Sequence, residues 1–170
     1  MENLKFYPLL LMLFMFTTVG FAQSAEASAT ADIAPLISIE VVTDLNFGNV
    51  IASGSSGTVI VTPTGARSRT GGVSFIPSMP GTVSAAQFTI NGMPNATYSI
   101  SIPNVNNVRI TNLDNEYMDI RQLSINIGSQ TPKLDLDGTQ TLYIGATLRV
   151  NANQSPGLYT GTTVVTVAYN

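Results

Sequence analysis

The sequence predicts an all-β fold, an antiparallel β-sandwich. Three observations carry that expectation. Short runs rich in Val, Ile, Thr, Tyr and Phe recur along the chain, residue types that suit a pleated, half-buried surface. Gly, Pro, Asn and Ser divide these runs at turn-like spacing. No window sustains the 3.6-residue period of an amphipathic helix. About 100 residues suffice for a sandwich of immunoglobulin-like type, and this chain has 170.

Residues 1–22 read as a secretory signal peptide rather than as part of the fold. Lys5 and the terminal amine make a weakly basic start, Leu9 to Phe16 is an unbroken apolar run, and Gly20-Phe21-Ala22 is a small-residue cleavage site before Gln23. The alternative, a membrane anchor, needs about 20 apolar residues. No transmembrane segment is expected after signal removal. The remaining chain, about 150 residues, is one domain's worth and can bury roughly 70% of its unfolded surface.

Residues 23–35 form an alternating extension. Ala25, Ala27, Ala29, Ala31 and Ile33 lie on one parity, and Ser24, Glu26, Ser28, Thr30 and Asp32 on the other. Side chains alternate across a strand with period two. The segment is therefore either a flexible leader or an extra strand that pairs with another molecule. As a strand it would anchor weakly, because burial yields about 0.8 kcal/mol per CH₂ and alanine has little to bury.

Residues 36–170 form the body. Its expected strands are Leu36–Val42, Leu45–Val50, Thr58–Thr62, Val73–Ile76, Gln87–Asn91, Thr97–Ile102, Val108–Thr111, Ile120–Ile127, Thr141–Val150 and Leu158–Tyr169. Ser53-Gly54-Ser55-Ser56-Gly57 and Asp137-Gly138 read as hairpin-type links, and Gly92-Met93-Pro94-Asn95 as a loop. In the last strand Thr163, Val165, Val167 and Tyr169 share one face. Thr162, Thr166 and Ala168 dominate the other, with Val164 as the exception.

Composition narrows the chemistry. Of seven basic and ten acidic side chains, Lys5 and Glu2 fall in the leader, and no basic patch emerges to attract nucleic acid. The chain has no Cys, His or Trp. Thiol chemistry, zinc sites built on Cys or His, and the commonest general acid–base residue are thereby removed. A Ser–Lys pair would have to rest on Lys133, and a glycosidase would need two carboxylates facing one cleft. No enzymatic activity and no cofactor are expected.

Three constellations remain. Asp114, Glu116 and Asp119, with Asn112 and Asn115 nearby, could supply oxygen ligands to calcium; the alternative is a solvated acidic loop. Asp135-Leu136-Asp137-Gly138 lacks the other ligands of a calcium motif and reads as a turn. Gly65 to Gly72 is a glycine-bounded stretch carrying Arg67 and Arg69. It lacks the Gly-Lys-Ser/Thr ending of a phosphate loop. It reads as an exposed loop joining two strands, where the two arginines would meet an acidic glycan or a partner's carboxylate.

Several pieces of the body occur together in one order: Phe47-Gly48-Asn49-Val50, Gly57-Thr58-Val59-Ile60-Val61-Thr62-Pro63-Thr64-Gly65, Arg67, Gly71-Gly72-Val73, Phe88-Thr89-Ile90-Asn91-Gly92, Tyr143-Ile144-Gly145-Ala146-Thr147-Leu148, and Gln154 through Asn170. In this the chain resembles a bacterial family of secreted proteins known only as domain-of-unknown-function family 4402. Ala146 departs from the pattern, which has a second glycine there. The family name implies no activity.

Gly157, fourteenth from the end, and the penultimate Tyr169 are similar to the C-terminal motif of pilins assembled by a chaperone and an usher. That resemblance implies an immunoglobulin-like sandwich lacking one strand. A periplasmic chaperone lends a strand beside the C-terminal one, and the N-terminal extension of the next subunit later replaces it. Main-chain hydrogen bonds and alternate side chains would hold the added strand. The strand-exchange residues would be Ala25, Ala27, Ala29, Ala31 and Ile33 as donor, with Gly157, Thr163, Val165, Val167 and Tyr169 flanking the acceptor groove. The chain departs from many pilins in having no disulfide and in its small donor side chains.

The expected function is thus a non-enzymatic, pilin-like subunit of a fimbrium, exported through the periplasm to the cell surface. Its partners would be identical or related subunits and a periplasmic chaperone. The alternative is a self-contained secreted or surface sandwich that binds a carbohydrate or protein through its loops.

Overall fold

The computed structural model describes residues 23–102, 108–128 and 130–170. The expected signal peptide lies outside the described residues. The body, Ala34–Asn170, is one compact unit. Its strands are β1 (Ser38–Thr43), β2 (Asn46–Phe47), β3 (Ile51–Val61), β4 (Arg67–Ser74), β5 (Val83–Ser84), β6 (Ala86–Asn91), β7 (Tyr98–Ser101), β8 (Val108–Thr111), β9 (Tyr117–Ile125), β10 (Thr139–Val150) and β11 (Thr166–Tyr169). Every ladder is antiparallel, and no helix occurs among the described residues. The fold is all-β and sandwich-like, as the alternating runs predict.

β10 organises the largest sheet. Its first half, Thr139 to Ile144, pairs with β6, and its second half, Ala146 to Val150, pairs with β3. The opposite edge takes β9 from Ile144 to Arg149. The order is β1-β6-β10-β3-β4, with β9 and then β8 branching from β10. β11 pairs with β7, and β2 with β5. The handover between β6 and β3 falls at Gly145, where a Cβ would collide with the Val61 carbonyl and with the Thr62–Pro63 backbone. Glycine is required there by close approach.

Alternation along β10 feeds two apolar clusters. Leu142 and Ile144 enter one; Ala146, Leu148 and Val150 enter the other. Among the described residues, the cluster around Val59, Val61 and Leu148 has eleven buried members and eight half-buried ones packed on it. Among the described residues, the cluster around Ile90, Tyr98 and Leu142 has six buried members and twelve half-buried ones. The second is therefore the less covered. Burial and dispersion drive such clusters.

Three expectations are corrected. Ser53 to Gly57 is not a hairpin turn but lies within β3, where Ser53–Ser56 bulge opposite Gly72 between the Ala52–Val73 and Gly57–Gly71 pairs. Gly57 and Gly72 permit backbone contact: a Cβ on the first would strike the Thr70 carbonyl, and on the second the Ser55 carbonyl. The loop expected from Gly65 to Gly72 shrinks to a tight turn, Thr62–Ala66, closed by Thr62 N–H to the Ala66 carbonyl at 2.9 Å and Gly65 N–H to the Thr62 carbonyl at 2.9 Å. Arg67 already opens β4. The strand expected over Leu158–Tyr169 is a ladder only from Thr166, preceded by an isolated bridge from Thr160 to Thr111. Gly161 sits against the Arg109 carbonyl, and the chain leaves the ladder geometry there.

The Asp137–Gly138 turn forms, but it leads into β10 from an isolated bridge at Lys133 rather than joining two strands of a hairpin. Asp135 Oδ1 accepts the N–H groups of Asp137 at 3.0 Å and Thr139 at 2.7 Å, and Oδ2 accepts the Thr139 hydroxyl at 2.9 Å. These donors, Thr139 first, hold the Asp135 carboxyl below the usual carboxylate range.

Candidate functional site

The candidate site is the pair of strand edges at β1 and β11. Among the described residues β1 is laddered only to β6, and β11 only to β7. The two strands approach one another without sharing a ladder. An unpaired edge presents a row of free N–H and C=O groups to any strand that can reach it.

Side chains on both strands face the less covered cluster. Ile37, just ahead of β1, and Ile39 within it are half-buried against that cluster, as are Val165, Val167 and Tyr169 at the other edge. Val41 follows on the same parity as Ile39 and stands in register with Phe88, whose neighbour Ile90 is fully buried. A core-facing position should therefore be covered, yet Val41 is 64% exposed. The β1 edge is thus less covered at Val41 than at Ile37 and Ile39.

Tyr169 spans the two strands at one end. Its ring packs on the cluster, its hydroxyl accepts Met93 N–H at 2.6 Å, and it donates to the Pro35 carbonyl at 2.9 Å. A Cβ at Gly92 would collide with that hydroxyl. The penultimate tyrosine thus has an intramolecular role that its sequence position did not reveal. Gly157 lies outside β11, in an irregular segment beside Asn112 with φ of 149°. Thr163 is exposed and unladdered, whereas Val165 and Val167 lie on the half-buried parity.

Gln23–Ile33 contains no strand and is exposed throughout, with Ile33 at 92%. Ala25, Ala27, Ala29 and Ala31 are therefore unpaired within the described residues.

The two arginines stand on β4 rather than in a loop, and Arg67 is an anchor. Arg67 Nη1 donates to the carbonyls of Phe47 at 2.9 Å, Pro80 at 3.2 Å and Asn49 at 3.3 Å, and its guanidinium lies 3.8 Å from the centre of the Phe75 ring. Arg69 Nη1 donates to the Val73 carbonyl at 2.7 Å. Charge-assisted bonds of this kind fix the Arg67 fork, whereas Arg69 is exposed and commits one donor.

The acidic trio is not brought together. Asp114 and Glu116 sit in the exposed β8–β9 link, where their N–H groups donate to Asn112 Oδ1 at 3.0 and 2.8 Å. Asp119 is on β9, in register with Arg109 and Arg149, and pairs with Arg109 at 3.5 Å and Arg121 at 3.3 Å. Cross-strand charge pairing, invisible in the sequence, claims this carboxylate. Among the described residues no group of three or more His, Cys, Asp or Glu is placed to hold a metal ion. Nor, among them, is any helix long and apolar enough to cross a membrane.

No curated protein matches the chain. The family profile described as Domain of unknown function (DUF4402) matches residues 37–169. That span runs from Ile37, where the β1 edge begins to face the core, to Tyr169, which joins the last strand to it, and the chain belongs to this family.

Proposed function

We propose that this protein is a non-enzymatic structural subunit, exported and pilin-like, that assembles into a cell-surface polymer by β-strand addition. The observation that supports the reading most is Val41, core-facing by register and 64% exposed, beside two edges that lack a partner strand among the described residues. The proposed occupant is Ser24–Ile33 of a second copy. Its unbroken alternation suits two edges whose inward side chains are apolar, and its own side chains are exposed. Main-chain hydrogen bonds along β1 and β11 supply most of the affinity, because the alanine methyls and Ile33 contribute only a few kcal/mol. A periplasmic chaperone would cover the same edges in transit.

The test is a detergent gel of the exported protein without heating. A ladder that collapses on boiling is expected, and deletion of residues 24–33 abolishes it. A stable monomer that the deletion leaves unchanged contradicts the proposal.

A further inference from the structure

We infer that the outer face of β1, β6 and β10 carries a binding site for a neutral saccharide, centred on Tyr143. Leu142 and Ile144 are buried in the core, so Tyr143 between them points outward. In register it opposes Gln87 on β6, which opposes Thr43 on β1. Directly opposed side chains share a face and lie about 5 Å apart. On the other side Asn126 completes the row: Tyr143 N–H donates to Asn126 Oδ1 at 2.8 Å, and Asn126 N–H donates to the Tyr143 carbonyl at 3.1 Å. Pro63, Thr64 and Gly65 lie beside this row, and together they line a shallow, open cleft of about 390 Å³. That size is within the range of small-molecule sites, about 300–1,000 Å³.

The lining selects the ligand. It holds hydroxyls, amides, a proline and a tyrosine ring, with no charged side chain. An ionic ligand would meet no countercharge there. A sugar ring presents an apolar C–H face to an aromatic ring and hydroxyls that both donate and accept, which suits amide and phenol groups. The Asn126 amide is preset, since Nδ2 also donates to the Thr141 carbonyl at 3.3 Å. Among the described residues, neither the Gln87 amide nor the Tyr143 hydroxyl is engaged in an intramolecular hydrogen bond, so both are available to a ligand. The site lies on a sheet face rather than on the edges proposed for strand addition, and it stands whether or not the chain polymerises.

The test is calorimetric titration of the intact exported chain with neutral hexasaccharides of glucose, mannose, galactose and N-acetylglucosamine, with polygalacturonate as the acidic control. At least one neutral sugar should bind. Tyr143→Ala should weaken it about tenfold or more and Gln87→Ala several-fold, each lost contact counting as a ligand group removed. Tyr143→Phe, which keeps the ring, should lose less than Tyr143→Ala, and Arg149→Ala should change nothing. Melting curves check that the variants fold; should Tyr143→Ala fail, Gln87→Ala decides. Binding to no neutral sugar, binding to polygalacturonate alone, or neutral binding undiminished by the folded variants overturns the inference.

Discussion

The hydroxyl of Tyr169 donates to the carbonyl of Pro35 at 2.9 Å, tying the end of the last strand to the chain just ahead of the first. The same oxygen accepts Met93 N–H. Tyr169→Phe keeps the ring but strands both backbone groups. Both groups are exposed, so we expect the ordinary net loss of about 0.5–1.5 kcal/mol per hydrogen bond rather than the larger penalty of a buried unpaired group. Urea unfolding measures it; a midpoint equal to that of the unaltered chain would show that water replaces the hydroxyl at no cost.

Tyr98 gives the protein an alkaline limit. It is fully buried, its hydroxyl donates to Gln140 Oε1 at 2.6 Å, and burial pushes its pKa up to about 12. An unfolded tyrosine titrates near pH 10. The unfolded chain therefore sheds this proton first. The stability that Tyr98 contributes is fully present below about pH 10 and is lost as pH rises through about 12. Unfolding free energies measured across this window should fall, and Tyr98→Phe should flatten the fall. An equal slope in both proteins would place the alkaline sensitivity elsewhere.

Arg67 joins the Phe47–Asn49 segment to Pro80 through three carbonyls. Arg67→Ala should cost about 1–3 kcal/mol, since hydrogen bonds to a charged group are at the strong end. Arg67→Lys should recover little, because a point charge cannot reproduce the planar fork on Phe75. Thermal melting distinguishes this anchor from the ligand-binding role expected from sequence, in which stability would be unaffected.

Gly145 and Gly65 separate two reasons for glycine. Gly145→Ala drives a Cβ into the Val61 carbonyl, and overpacking of this kind costs about 1–3 kcal/mol or more. Gly65 has φ of 80° with open space around it, so Gly65→Ala should cost only the left-handed penalty, about 1–2 kcal/mol. Denaturant midpoints should rank Gly145→Ala as the more damaging. The reverse order would deny β10 its tight handover at residue 145.

Much of the fold was legible because alternation is a local property. The inward set of β10 and the half-buried parity of Val165, Val167 and Tyr169 follow from period two alone. Glycine clusters misled for a physical reason: the same residue serves a turn and a close backbone approach. Gly65 does the first, while Gly57 and Gly72 do the second, and only the partner strand tells them apart. The site was legible less fully. The row of Thr43, Gln87, Tyr143 and Asn126 is assembled by register across distant segments. Arg67 looked free because its acceptors are carbonyls 13 to 20 positions away, which carry no side-chain signature. The exposure of Val41 has no sequence signal at all, since a valine on the inner parity is read as core.

The most direct test of strand addition uses a synthetic peptide of residues 24–33 and a chain lacking them. Added peptide should raise the melting temperature, with the logarithm of its concentration once it exceeds the dissociation constant. A peptide with Ala27 and Ala29 replaced by aspartate, which puts charge on the inward parity, should have no effect. No rise with the native peptide at millimolar concentration, or an equal rise with both, would contradict the account.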